Sequence, residues 1–489
     1  MGKLKYLIFS FFVLSLAYSQ ILIFLREGKH RSLDPAIQWN FLSSEILANV
    51  LEGLVQFKMD SYDVEPCLAT KWEAKDNGKR WIFYLRKGVT FHDGTEFNAD
   101  SVIFSFKRME NMPNFKVLFP FYRTIKKIDR YTVEIILDYA YTPFIQLMAN
   151  PIASIISPQS VERREFVPIG TGPFKIKEIK SSSISLESFN KYWNGKPKIE
   201  GIIIKTVTKP EWKLLQLKNG SADIIRLSTL REYESLKFVP NIKFLIHPQM
   251  DINFLSFNTS RPPFNKRKVR EAFAHIINKK NLIPLLFNNF ATPAITPIPP
   301  YIWRYPLTFK DYDYNPEKAL SLLKEAGYSK GFRCKLFVSS EKPEYRELAL
   351  KIQKSAKLVG IKIEIVSLTP FQLHKEAKKG KYNLAIQGWV ADIPDPDNFL
   401  FPLFSEDNLQ NFSILRNTNI MEILKSARKL SGNNTRYLLY SKALEIIHRE
   451  IPIIPLYHST ELVAYNIKVS GLQINPKGYL IFKKVRIKK

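Results

Sequence analysis

The chain has 489 residues, 45% of them hydrophobic and 24% charged. That is enough apolar material for two or three packed domains, and too much for a disordered chain. Lys and Arg number 73 against 45 Asp and Glu, for a net charge of +28, but the basic residues are spread along the chain rather than gathered in a nucleic-acid-binding stripe. Two distant cysteines, Cys67 and Cys334, exclude a disulfide scaffold and a Cys-rich metal module.

Lys3 and Lys5 precede residues 6–25, which carry no charge. Ala17-Tyr18-Ser19 suits cleavage after Ser19, so residues 1–19 read as a signal peptide and 21–25 as the first strand of the mature chain. An uncleaved membrane anchor is the competing reading, but Gln20 breaks the apolar run. No Cys stands at the cleavage point to carry a lipid. An exported protein without such an anchor needs a second membrane to retain it, which predicts a periplasmic location. Export also argues against a nucleic-acid partner; anionic headgroups or acidic permease loops suit the charge better.

Further along, residues 80–88 form a β-like run that ends in the Asp93-Gly94 turn, and Asn98 caps a helix carrying Val102, Ile103 and Phe106 on one face. Residues 202–207 and 362–368 are β-branched runs. Val269, Ala272, Phe273, Ile276 and Ile277 recur at helical spacing. Pro316 opens another helix, with Ala319, Leu322, Leu323 and Ala326 as its stripe and Gly327 at its end. Strands and helices alternate throughout, which predicts α/β lobes.

Taken together, several segments form a pattern. They are Ser32-Leu33-Asp34-Pro35, Asn49–Val55, the block from Asp76 through Val102, Gly170-Thr171-Gly172-Pro173-Phe174 and Tyr192-Trp193. Pro262-Pro263-Phe264, Val269-Arg270-Glu271-Ala272, Gly388-Trp389 and Ile451–Tyr457 follow in order. In this the chain resembles the family 5 extracellular solute-binding proteins, the peptide and nickel receptors of ABC importers. The resemblance implies an α/β periplasmic binding protein of type II, with two lobes around a hinged cleft and an extra domain inserted in the first lobe. Mapped onto this chain, the first lobe takes 20–52, 165–248 and 466–489, the inserted domain 53–164, and the second lobe 249–465. The hinge is expected at 251–257 and 462–466.

The same resemblance places the ligand. In peptide receptors of the family, the Asp three residues after the Trp of the Gly-Trp motif holds the ligand's α-amino group, which here is Asp392. The physics agrees, because a buried ammonium is costly unless a fixed carboxylate pairs with it. Asp395 and Asp397 are competing acids, and turn or cap roles are the alternative for all three. Trp389 either walls the cleft or packs in the core. The main chain of Gly388 and Val390 is expected to pair with an extended ligand as an added strand, with Gly388 allowing close approach. Trp39 faces the cleft from the first lobe or packs within it. Gly170-Thr171-Gly172 lacks the Lys and spacing of a phosphate loop and reads as a structural turn.

Dipeptide receptors of the family place an Arg ahead of the helix corresponding to 348–358. Ser339 stands there, and Arg346 is several residues on. This disfavours a strict dipeptide receptor and leaves longer peptides, or a non-peptide solute such as a nickel chelate or a glycan. The seven His residues show no metal-ligand spacing, no nucleophile or zincin motif is present, and no cofactor is expected. The sequence therefore reads as a monomeric receptor, not an enzyme, whose partners are a small peptide or other solute and an inner-membrane ABC permease.

Overall fold

A computed structural model describes residues 20–488 except 38, 39, 60, 163, 164, 304, 381, 407, 409, 410, 431 and 432. The expected signal peptide and Trp39 lie outside the described residues. Among the described residues no helix is long and apolar enough to cross a membrane.

A 12-stranded sheet runs through the molecule. From one edge its strands are Ile361–Leu368, Phe332–Ser339, Leu384–Val390, Asp251–Phe257 and the long strand Ile453–Asn466. Ile224–Leu227, Ile21–Arg26, Gly201–Thr206, Ser183–Ser188 and Phe174–Ile179 follow. The long strand serves two neighbourhoods. Up to Ser459 it pairs with Asp251–Phe257 and Ala291–Pro293; from Thr460 it pairs with Ile242–Pro248 and Ile224–Leu227. The exchange of partners thus falls near Pro248–Asp251 and Tyr457–Thr460. Of the expected crossings, residues 251–257 begin at this exchange and carry a register shift against the long strand between Asn253 and Phe254, while 462–466 pair with both Ile242–Pro248 and Ile224–Leu227. Residues between ladders have fewer hydrogen bonds to break when the backbone rotates.

A separate four-stranded sheet holds Ala69–Lys75, Arg80–Leu85, Thr132–Leu137 and Tyr122–Asp129. In Arg80–Leu85 alternate residues Trp81, Phe83 and Leu85 are buried, the period-2 pattern of a half-buried strand. Helix Ala99–Met109 packs on this sheet; the Asn98 side chain accepts from the Asp100 N–H, and Val102 and Phe106 are buried. In the main body, helices Arg267–Ile276 and Pro316–Glu325 bury the stripes expected of them, and Gly327 takes a positive φ of 85° just past the second.

Segments distant in sequence meet at the buried Glu52. Its carboxylate accepts from Thr171 Oγ1, Tyr192 OH and Trp193 Nε1, each at 2.8 Å. Burial pushes the Glu52 carboxyl above the usual range, and the three donors oppose that push. Beside it, His92 accepts from the Gly170 N–H at 3.2 Å and lies 3.0 Å from the Gly172 carbonyl, so Nε2 carries the proton. A Cβ on Gly172 would come within 2.6 Å of the Val50 carbonyl oxygen. The Gly-Thr-Gly turn is thus a packing device, in keeping with its reading as structural.

Burial holds His92, and His458 on the long strand, down to about 4. An unfolded His takes up its proton near 6.5. Between these values the unfolded chain binds more protons, so the two residues' contribution is intact above 6.5 and shrinks as pH falls toward 4. The loss is up to about 1.4 kcal/mol per pH unit for each, and less for the partly accessible His92. Denaturant midpoints measured from pH 7 to 4 should fall less steeply for His92→Gln than for wild type; identical slopes would show that His92 does not titrate in this way.

Candidate ligand-binding cleft

Strand Leu384–Val390 pairs with Asp251–Phe257 along its whole length, but with Phe332–Ser339 only at Leu384 and Ala385. The Ala391 N–H donates to the Met250 carbonyl. By the alternation of an antiparallel ladder, Trp389 then bonds toward Asp251–Phe257, while the N–H and C=O of Gly388 and Val390 point to the opposite, unpaired edge. That edge lies at the carboxyl ends of the parallel strands, where open α/β sheets bind ligands.

Beyond Val390 the chain turns, and Asn398 braces the turn. Its Oδ1 accepts from the Asp392 N–H, and its carbonyl accepts from Trp389 Nε1, both at 2.6 Å. Two of the three acids are consumed by partners within the protein. Asp395 takes both terminal nitrogens of buried Arg436, at 2.7 and 2.5 Å. Asp397 accepts from Arg428 and Tyr141 at 2.9 Å and from Tyr440 at 3.2 Å. The third, Asp392, keeps a carboxylate that is 35% exposed.

Asp392 lies between parts of the chain that are far apart in sequence. Asn150 Nδ2 donates to its carbonyl at 3.4 Å. Lys477, whose side chain is only 8% exposed, donates to the carbonyls of Ala391 and Asp392 at 3.2 and 3.0 Å and lies 3.5 Å from Asp392 Oδ1. Further contacts join the same distant segments. Tyr141 reaches Asp397, the Thr142 N–H donates to the Arg428 carbonyl, and Tyr62 stacks on Tyr301 with ring centroids 5.5 Å apart. Asn150 and Asn475 also line a small hollow of about 80 Å³ that reaches back to Glu52.

The other expected site residues take different places. Val390 is 63% exposed beside the open edge. Trp389 is half buried against the core around Phe399 and Leu400, with its N–H spent on Asn398. The space that Gly388 leaves is taken from within the lobe: a Cβ there would lie 2.7 Å from the Tyr345 hydroxyl and 3.0 Å from Asn253 Oδ1. The Ser339 hydroxyl accepts from the Glu341 N–H, and Arg346 is exposed on the helix.

A cation missed by the sequence reading stands close by. Lys342, at the start of helix Pro343–Leu358, places its ammonium 3.1 Å from the Tyr345 hydroxyl and 4.6 Å over that ring. Tyr345 donates to Asn253 at 2.7 Å, and Asn253 donates to Asp251 and Ser459 at 3.0 Å each. Burial raises the Asp251 carboxyl above the usual range. A hydrogen-bonded chain thus joins Lys342 to the place where the sheet changes partners. A Lys-Pro step at a helix start was its sequence signal; Lys477 had none, because its partner lies 85 positions away in sequence. Elsewhere, a groove of about 650 Å³ gathers Lys196, Lys198, Lys483, Lys484 and Arg486. Among the described residues no three His, Cys, Asp or Glu side chains converge to hold a metal.

Comparison with known proteins agrees with this architecture. The model for "Bacterial extracellular solute-binding proteins, family 5 Middle" matches residues 63–411. The chain is 32% identical to heme-binding protein A of Haemophilus influenzae over 472 residues, covering 88% of this chain and 86% of that protein. It is 30% identical to the dipeptide-binding protein of Escherichia coli over 512 residues, covering 96% and 95%. The structure of the periplasmic binding protein DppA from Helicobacter pylori, in complex with peptide STSA, aligns with a TM-score of 0.79 at 30% identity, covering 95% and 98%. The chain belongs to the bacterial extracellular solute-binding proteins of family 5.

Proposed function

We infer that this protein is the periplasmic receptor of an ABC importer and that it binds short peptides between its lobes for delivery to a membrane permease. Its family comprises substrate-binding receptors of transporters, not enzymes. One observation carries the ligand class: an unpaired strand edge at Gly388 and Val390 has an acid, Asp392, at one end and a cation, Lys342, beside the other. Gly388 and Asp392 are four residues apart, on the order of 10 Å along a strand. An extended peptide carries an ammonium, backbone donors and acceptors, and a carboxylate in that order. The edge would read its backbone whatever its side chains. The curated relatives that bind dipeptides and the relative seen with a peptide support this reading.

Lys342 would then supply the positive charge that Ser339 cannot. We take the protein to act as a monomer whose closed form is read by the permease, and the groove of five cations suits an acidic surface there. Residues 20–52, 165–248 and 466–489 would move as one lobe with 53–164, against 249–465.

Calorimetry with short peptides tests the assignment. Free peptides should bind, and their N-acetylated forms should bind at least 10-fold more weakly. Equal binding of the two would refute recognition of the amine. Mass spectrometry of small molecules released from the denatured native protein should find short peptides; a metal chelate, glycan or heme instead would replace the ligand class.

A further inference from the structure

The ammonium of Lys477 lies where a ligand's amino group is expected. It has three acceptors within 3.5 Å, the carbonyls of Ala391 and Asp392 and Asp392 Oδ1, arranged around one nitrogen. This is the acceptor set that a primary ammonium, with three N–H donors, requires. The lysine comes from the turn Asn475-Pro476-Lys477-Gly478 of the C-terminal segment. Asn475 Oδ1 shapes that turn by accepting from the N–H groups of Lys477 and Tyr479, at 3.0 and 2.9 Å. The Gly478 carbonyl is in turn tied to buried Arg226 at 2.7 Å. Lys477 is therefore held from the first-lobe side and reaches across to a turn of the other lobe. Among the described residues Asp392 Oδ2 receives no hydrogen bond, so the carboxylate stays open on its second oxygen.

We propose that Lys477 is a tethered competitor: it occupies the ammonium seat at Asp392 in the ligand-free protein, latches the lobes together, and must yield that seat to the amino group of an incoming ligand. The proposal rests on the reading of Asp392 as the amine anchor and deepens it. A receptor that closes on its own lysine spends part of its ligand-free time closed, and apparent affinity falls in proportion to the fraction of molecules able to accept ligand. Selectivity follows as well. A ligand without a cationic end cannot replace the interaction it displaces, so the lysine excludes neutral solutes that merely fit the cleft.

Lys477→Met keeps the buried stem and removes the charge; Lys477→Arg keeps the charge. Small-angle scattering of ligand-free protein should show Lys477→Met more extended than wild type, and Lys477→Arg close to wild type. In calorimetry Lys477→Met should bind a free-amine peptide about 10-fold more tightly. The N-acetylated peptide should gain by a similar factor, because both ligands displace the same lysine. Unchanged ligand-free scattering overturns the latch. Unchanged or weaker binding of the free-amine peptide by Lys477→Met overturns the competition. The scattering arm needs no ligand, so it stands apart from the peptide reading; if wild type already bound free and acetylated peptides equally, the amine anchor itself would have failed instead.

Discussion

Asp392→Ala should weaken binding of a free-amine peptide by about 2 kcal/mol, roughly 30-fold, in calorimetry at neutral pH. The figure is set below that of a fully enclosed ion pair because the carboxylate is 35% exposed before ligand arrives. Asp392→Asn should recover part of the loss, since an amide oxygen still accepts a hydrogen bond but carries no charge. Binding of N-acetylated peptide should not weaken in either variant, because that ligand has no ammonium to leave unpaired. Thermal stability should stay near wild type, as Asp392 carries no core packing. A wild-type Kd for Asp392→Ala would remove this residue from the site and leave the open edge at Gly388 and Val390 without its anchor.

The largest effect on folding is expected at Asp395. Its bidentate partner Arg436 is 2% exposed and also contacts Tyr440. Asp395→Ala leaves that guanidinium buried and unpaired, at a cost of about 3–5 kcal/mol. For a lobe of roughly 200 residues this is a fall of roughly 10 °C in Tm. The Asp395→Leu, Arg436→Met double variant should lose much less, because it buries no lone charge. A single variant that melts with wild type would mean that Arg436 finds water or another partner. Arg436 and Arg428 thus hold the turn that presents Asp392, and the two acids beside it serve structure while it remains available.

Much of this was legible in the chain itself. The alternation in residues 80–88 and the stripe at Ala319, Leu322 and Leu323 are local signals, and both elements form where those signals lie. The family motifs were legible as markers, but their physical meaning was not. Glu52, Thr171 and the pair Tyr192-Trp193 lie in three separate motifs and meet at one buried carboxylate. Likewise Arg270 of the Val-Arg-Glu-Ala motif bonds the Phe264 carbonyl at 2.8 Å and the Ile451 carbonyl at 3.0 Å, tying three motifs together. Spacing along a chain cannot show which donors converge on one acceptor.

The amino-acid sequence alone determined the class of fold and the order of its elements, and its resemblance to family 5 pointed to the short stretch 388–397 as the place to seek a ligand anchor. These follow from periodicity, turn residues and motif order, which act over a few neighbouring positions. Tertiary structure alone decided which of three neighbouring acids has no arginine partner, because that depends on arginines 31 and 41 positions away along the chain. It also decided that Lys342 stands against Tyr345 and Lys477 against Asp392, near the open strand edge. Charge acts through space over a few ångströms, and only folding sets those distances.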